Sequence, residues 1–278
     1  MEEQQLAERR TEAIAMALHA SAWTDRTDVS WIELRGQDRI DLLHRLSTND
    51  MTKLVPGKGM QTVLLTEKAR IIDVVTVLHD AERSFLLGSP GTSATVVAWL
   101  RKYVIMDDVR MTDRSADMIG IEILGPHASD HVQQLTGVDV GSWTIGQWSR
   151  VDEDPHAPFI VRMPSPAELS YWIVGSRETI AALRSVLTDN AEAIPHLHPG
   201  EYEYLRVRAG LGKLGNEWGD AYNPLEAGLL HLTSFTKGCY IGQEVVARLD
   251  SYNKVKQRIM GVVAPADVHE GDAVVTSD

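Results

Sequence analysis

The chain has 278 residues, with 27 Lys+Arg against 39 Asp+Glu, a formal net charge of −12. That balance excludes a protein that coats nucleic acid through bulk charge. Hydrophobic residues at 44% and charged residues at 24% exclude a disordered chain, and no apolar run reaches the ~18 residues of a membrane span.

In chain order, residues 3–19 read as an amphipathic helix, with Leu6, Ala13, Ile14, Ala17 and Leu18 on one side. Trp31 to Leu34 predicts a short strand, and Asp38 to Leu46 a helix turning Ile40, Leu43 and Leu46 inward. Val63 to Leu65 and Ile71 to His79 are strands. The second is apolar on both alternating faces, which predicts a strand covered on both sides. Phe85 to Leu87 is another strand. Thr92 to Val104 keeps a helical period through Val96, Trp99, Leu100 and Tyr103. Ile119 to Leu124 is a strand, and Pro126 marks a helix start with Val132 and Leu135 inward. The prolines and glycines of 141–170 argue against long regular structure there. Tyr171 to Val174 is a strand, Arg177 to Leu187 a helix capped by Ser176, and Glu201 to Ala209 a helix after a linker-like segment, residues 190–200, that contains Pro195 and Pro199. Ile259 to Val263 and a run starting at Ala273 are read as two short strands, either a small appendage or the opening of a longer β-rich domain. Strands and helices mix without βαβ alternation, so the expected class is α+β.

The only cysteine, Cys239, rules out an intrachain disulfide and a four-cysteine metal site. The acidic start MEEQQLAERR is unlike a signal peptide, so the expected compartment is the cytoplasm. Cys239 stands in the densest segment, Lys237-Gly238-Cys239-Tyr240-Ile241-Gly242-Gln243-Glu244. Two glycines free the backbone, a lysine two residues away favours thiolate, and a helix beginning at Gln243 would do the same. Two readings stand side by side: a reactive thiol, or a small buried hydrophobe. His196 and His198 are two apart but lie among prolines with no third ligand in view, so they read as loop histidines.

The 237–244 segment resembles the K-G-C-[YF]-x-G-Q-E signature of the YgfZ folate-binding family, which is related to the T-protein (aminomethyltransferase) of glycine cleavage. Trp31 to Asp50, ending in Thr-Asn-Asp, Gly59 to Asp73, Leu100 to Val109 and Leu124 to Ala128 fit the same pattern. Residues 200–230 look more like the T-protein. The resemblance covers roughly residues 25–263. It implies a clover of α+β modules around a tetrahydrofolate cavity: 1–117 and 118–200 as two modules, 201–255 as a return segment, and 256–278 as the start of a C-terminal β-barrel.

The T-protein carries its pterin carboxylate six residues after an arginine. Arg162 and Glu168 keep that offset, but MPSPA replaces the glycines between them, and Glu168 also reads as a surface loop carboxylate. Arg206, Arg208, Glu217 and Glu226 are the other candidate folate residues, with Asn223 as a cap. Arg206 and Arg208 diverge on a helix, so one can face a ligand while the other is solvated. Where the T-protein has an aspartate for aminomethyl transfer, this chain has Ser89 to Thr95, without a carboxylate. The implied role is a tetrahydrofolate-binding accessory of iron–sulfur cluster assembly or repair. It would serve iron–sulfur enzymes, including those that modify tRNA, with Cys239 and Lys237 as the chemical pair. Its partners would be folate and iron–sulfur client or assembly proteins, with no direct nucleic acid and no membrane. The rivals are a folate-dependent aminomethyltransferase and a folate scaffold without chemistry.

Overall fold

The computed structural model describes residues 12–154, 156–252 and 254–263. Among them, ten strands form two antiparallel five-stranded sheets, and helices pack on the outer face of each. The α and β elements mix and both sheets are antiparallel, as the irregular order of elements in the sequence implies.

One sheet runs β3(Lys58–Leu65)–β4(Ile71–His79)–β5(Arg83–Gly88)–β2(Ser30–Arg35)–β6(Arg110–Asp113). Its outer face carries Ile32, Leu34, Val75, Val77 and Leu86, which meet Leu42, Leu43 and Leu46 of α2(Arg39–Leu46) and Val96 and Leu100 of α3(Ser93–Arg101). The other sheet runs β1(Ala22–Arg26)–β7(Met118–Leu124)–β10(Ser170–Ser176)–β9(Phe159–Arg162)–β8(Trp148–Arg150). Ile121, Ile123, Tyr171 and Ile173 there bury against α4(Ala128–Thr136) and α5(Arg177–Asp189). The inner faces meet each other: Trp31, Leu78, Phe85 and Leu87 pack on Trp148, Phe159, Val161 and Val174. Period-2 alternation therefore buries both faces of most strands, which explains the near-continuous apolar runs.

The sheets are also stitched along β3 and β8. Gly59 N–H donates to Gly146 O at 2.6 Å and Trp148 N–H to Gly57 O at 3.0 Å. A β-carbon on Gly146 would sit 2.2 Å from Gly59 O, and its φ is +83°, so only glycine fits there.

The N-terminal helix α1 occupies the described residues 12–19, while residues 3–11 of the expected helix lie outside them. Ala13 and Ala17 pack with Leu124, Leu197 and Leu205 of α6(Pro199–Arg208). α6 starts two residues earlier than expected because Pro199 suits a first helical turn and Glu201 accepts from His198 N–H at 2.7 Å. Ser176 caps α5 as expected, accepting from Thr179 N–H at 3.2 Å. α7(Gln243–Ser251) follows. The sequence reading of Ile259 to Val263 as a strand is corrected: residues 254–263 form no strand. They lie exposed apart from a half-buried Val255, and their backbone is tied to the body where Ile259 N–H donates to Glu226 O at 2.9 Å. Without a neighbouring strand no ladder forms. The strand expected from Ala273 lies outside the described residues, and no barrel is seen among those described.

Candidate functional site

The segment after α6 folds back onto the β3–β4 end. Leu229, Leu232, Tyr240 and Val246 bury against Val63, Leu65, Ala69 and Ile71. This docking fixes the loop that carries Cys239. Lys237 is buried, and its ammonium donates to three backbone carbonyls at the C-terminal end of α2: His44 O, Ser47 O at 2.7 Å and Asn49 O at 2.9 Å. A cation there answers unpaired carbonyls and the helix dipole together. Burial pulls the lysine down to about 8, opposed by Asp50. On the other side of the cysteine, Tyr240 is buried, and burial pushes its hydroxyl up to about 12. Gly242 has φ +84°, and a β-carbon on it would meet Thr66 O at 2.8 Å. Between these anchors Gly238 and Cys239 are exposed.

Two expectations change here. Of the two glycines expected to free the backbone, Gly242 carries a positive φ and Gly238 does not. Lys237 has its three donors on carbonyl oxygens and none on the Cys239 sulfur, so it holds the loop and does not pair with the thiol. Gln243 and Glu244 open α7 just beyond the cysteine, as the sequence implies.

A second polar centre lies at the entrance of α3. Ser89 to Thr95 has no carboxylate of its own, but the fold brings one in from β4. Asp73, fully buried, accepts from Ser89 Oγ at 2.6 Å, Ser89 N–H at 3.0 Å, Thr92 Oγ1 at 2.6 Å and Val74 N–H at 2.8 Å. Ser30 Oγ accepts from Thr92 N–H at 3.0 Å and Ser93 N–H at 3.1 Å, capping the helix from a neighbouring strand. Burial pushes the Asp73 carboxyl above its ordinary range against the pull of these donors. The sequence reading missed Asp73; the one signal was an acidic residue inside an otherwise apolar strand.

Of the candidate folate residues, Glu217 and Glu226 line one cleft and Arg206 bonds Glu217, while Glu168, Arg162 and Arg208 lie apart. Glu168 is exposed on the loop before β10. Arg162 donates to Trp143 O. Arg206 is buried, but its guanidinium is held by Glu203, by Leu211 O and by Glu217 at 2.9 and 3.2 Å. Arg208 is exposed. Glu226 accepts from Asn223 N–H at 3.0 Å, and Asn223 Oδ1 in turn accepts from Leu225 N–H and Glu226 N–H. Two clefts flank the 254–263 segment. One, of about 200 Å³, is lined by Leu225, Gly228, Leu249 and Arg258; the other, of about 220 Å³, by Asn216, Glu217, Tyr222 and Glu226. Each is smaller than the roughly 300 Å³ at which pockets for drug-sized ligands begin. Neither includes Glu168, Arg162 or Cys239.

The family model described as the GCVT N-terminal domain matches residues 3–237. The chain belongs to this family. Its GCVT relatives include a protein of Arabidopsis thaliana named as a putative chloroplastic transferase, 28% identical over 87% of this chain and 56% of that protein. The aminomethyltransferase of Symbiobacterium thermophilum is 26% identical over 86% of this chain and 67% of its own length. That of Synechocystis is 29% identical over 82% and 62% respectively. The chain thus spans little more than half of the Arabidopsis protein and about two thirds of the others. Among solved structures, the glycine cleavage aminomethyltransferase T of Bartonella henselae superposes with a TM-score of 0.78, covering 87% of this chain and 66% of that one at 19% identity. The GCVT fold is shared. The candidate residues, however, do not fit a folate site as a set: the two arginines with buried or half-buried heads are held by protein partners, and Glu168 lies away from any described cleft.

Proposed function

We propose that this GCVT-family chain is a tetrahydrofolate-binding protein of the YgfZ branch, acting in iron–sulfur cluster assembly or repair with Cys239 as its reacting group. The observation that carries this reading is the contrast inside one loop. Lys237 and Tyr240 are buried and Gly242 is wedged against Thr66, while the thiol between them stays exposed. A cysteine kept only for packing belongs with the buried residues. The folate half of the proposal rests on the family and on the T-protein-like block 200–230, not on the geometry of Glu168, Arg206, Arg208 or Glu226.

The transferase reading draws on the names of the relatives. It needs an open carboxylate at the entrance of α3; Asp73 there is closed in by four donors, and Asp113 accepts from Ser93 Oγ at 2.6 Å and from Ser115. Two measurements test the proposal. Tetrahydrofolate should raise the melting temperature, since a ligand that binds only the native state stabilises it by mass action; no rise at saturating ligand removes the cofactor. Cys239→Ser should fold normally and fail to restore iron–sulfur enzyme activity in cells lacking the protein; full restoration removes the thiol. Formation of methylenetetrahydrofolate from an aminomethylated lipoyl carrier at about 1 s⁻¹ or faster would favour the transferase instead.

A further inference from the structure

We propose that the arginine-rich rim where β2 ends and β5 begins is a docking surface for a short acidic segment of a protein partner, an extended run of Asp and Glu side chains. The strand register sets the display. Arg35, the last residue of β2, stands opposite Arg83 of β5 on one side and Arg110 of β6 on the other. Directly paired residues share a face and neighbouring strands lie about 4.8 Å apart, so the three side chains leave the sheet in one row roughly 10 Å wide. Glu33, two residues before Arg35, is on the same face, the inner one that carries Trp31 and Phe85 further in. The rim stands apart from both polar centres already described. It is at the opposite end of β2 from Ser30 and the entrance of α3, about 17 Å of strand away. Ile71, against which the cysteine loop docks, is at the far end of β4 from the turn that leads into Arg83.

The charges at this rim do not balance. Glu33 is buried and accepts from Arg35 Nε at 2.7 Å and Arg114 Nε at 2.9 Å. Burial works to raise its carboxyl pKa, and Arg114 and Arg35 together hold it below the ordinary value. Arg83 is a third cation on the same carboxylate, at 3.7 Å, and makes no hydrogen bond among the described residues. Its side chain is only 18% exposed and lies over the Phe85 ring at 5.3 Å. Arg110 is exposed, with no ion pair or side-chain hydrogen bond among the described residues. From β8 of the other sheet, Arg150 donates to Ala157 O at 3.2 Å; burial and the neighbouring Arg83 lower its pKa, against Asp80, Asp154 and Glu33. Asp117 adds one carboxylate, 3.5 Å from Arg114. Guanidinium donors left unmade in a largely covered site are unfavourable, and an oxyanion seated outside Arg83 would take them. The planar fork of arginine matches a carboxylate with two parallel bonds. Openness and charge select the occupant. The Arg35 and Arg114 side chains are 47% and 41% exposed, so the row is an open ledge and not a closed pocket for one small anion. An extended peptide sends a side chain to one face about every 6.8 Å, so alternate acidic residues reach along the row. The chain as a whole, at −12, repels a long polyanion such as nucleic acid, which leaves a short acidic run as the partner.

The test is fluorescence anisotropy of a labelled, α-linked oligoglutamate peptide titrated with the full chain in low salt. Saturable binding is expected. Arg110→Gln should weaken it about threefold, the range for an exposed ion pair, and Arg83→Gln about tenfold, because its guanidinium is largely covered. Arg208→Gln on α6 removes the same charge elsewhere and should leave binding unchanged. Salt at about 150 mM should weaken binding in the native chain, since screening then acts within about 8 Å. Three results would overturn the proposal: no saturable binding, equal losses in Arg208→Gln and Arg110→Gln, which would mean bulk charge only, or full displacement of the peptide by pyrophosphate or an oligothymidylate at lower concentration than by unlabelled peptide, which would make the rim a phosphate site. Should Arg83→Gln fail to fold, Arg110→Gln decides, because the Arg110 side chain holds nothing among the described residues; unchanged affinity in that variant overturns the proposal.

Discussion

The entrance of α3 and the loop 237–242 are both built from chemistry-bearing side chains at a helix end, yet they turn those groups in opposite directions. At α3 the central carboxylate faces inward: Asp73 is fully buried and accepts from Ser89 and Thr92, while Ser30 accepts from the Thr92 and Ser93 N–H groups. In the loop the flanking residues are buried and the middle is turned out. A buried polar group with all its partners is part of the scaffold, because any ligand would have to displace those partners at the cost of desolvated donors. A group held out by anchored neighbours is available to a second molecule. By this measure the Asp73 cage belongs to the scaffold, and the loop turns its thiol toward solvent.

The comparison predicts a graded set of losses. Asp73→Ala should be the most damaging, about 3 kcal/mol by denaturant unfolding, since it strands the donors of Ser89 and Thr92 in a buried site. A loss below about 1 kcal/mol would show that the cage does not hold α3. Lys237→Met should cost about 2 kcal/mol, the range for hydrogen bonds to a charged donor, by removing the contact with the end of α2. It should also disturb alkylation of Cys239 through the position of the loop. Gly242→Ala should cost roughly 1–2 kcal/mol for a left-handed residue with a side chain, read in the same unfolding experiment.

The effect of pH should be smaller. His44, His79, His131 and His196 all have pKa values lowered chiefly by burial. Unfolded histidines titrate near about 6.5, so below that pH the unfolded chain binds more protons than the native one. The histidines should therefore make stability fall as pH drops through about 6.5 toward the native values, as calorimetry would show. Cys239→Ser should change least, with a melting temperature within about 2 °C of the native chain. A large drop would make the loop resemble α3 after all and end the contrast.

Much of the fold was legible because hydrophobic period decides it. Ile71 to His79 was bounded correctly and reads as covered on both sides because it is: Val75 and Val77 face the helices while Leu78 faces the other sheet. β1 and β6 were not legible. AWTDR and RMTD carry too few apolar residues for a pattern, and they are strands because neighbours offer an edge. Ile259 to Val263 failed for the converse reason, a good strand composition without a partner. The site was legible as a segment and not as a constellation. The 237–244 run stood out, but the carbonyls at the end of α2 that hold Lys237 lie almost two hundred residues earlier. Asp73 likewise reaches Ser89 and Thr92 through the pairing of β4 with β5.

The order of pairing in the two sheets sets the order in which they can be made. Every strand of the β3–β4–β5–β2–β6 sheet lies between Ser30 and Asp113, with β3, β4 and β5 joined as successive hairpins. β1 pairs Arg26 with Gly120, across that entire region. During synthesis at about 5–20 residues per second, β1 emerges and then waits roughly 5–20 s for β7. Throughout that interval Trp23 has no sheet to enter. The non-local closure of the second sheet therefore follows the local pairing of the first during synthesis, and the unpaired edge of β1 is where a nascent chain is open to mispairing.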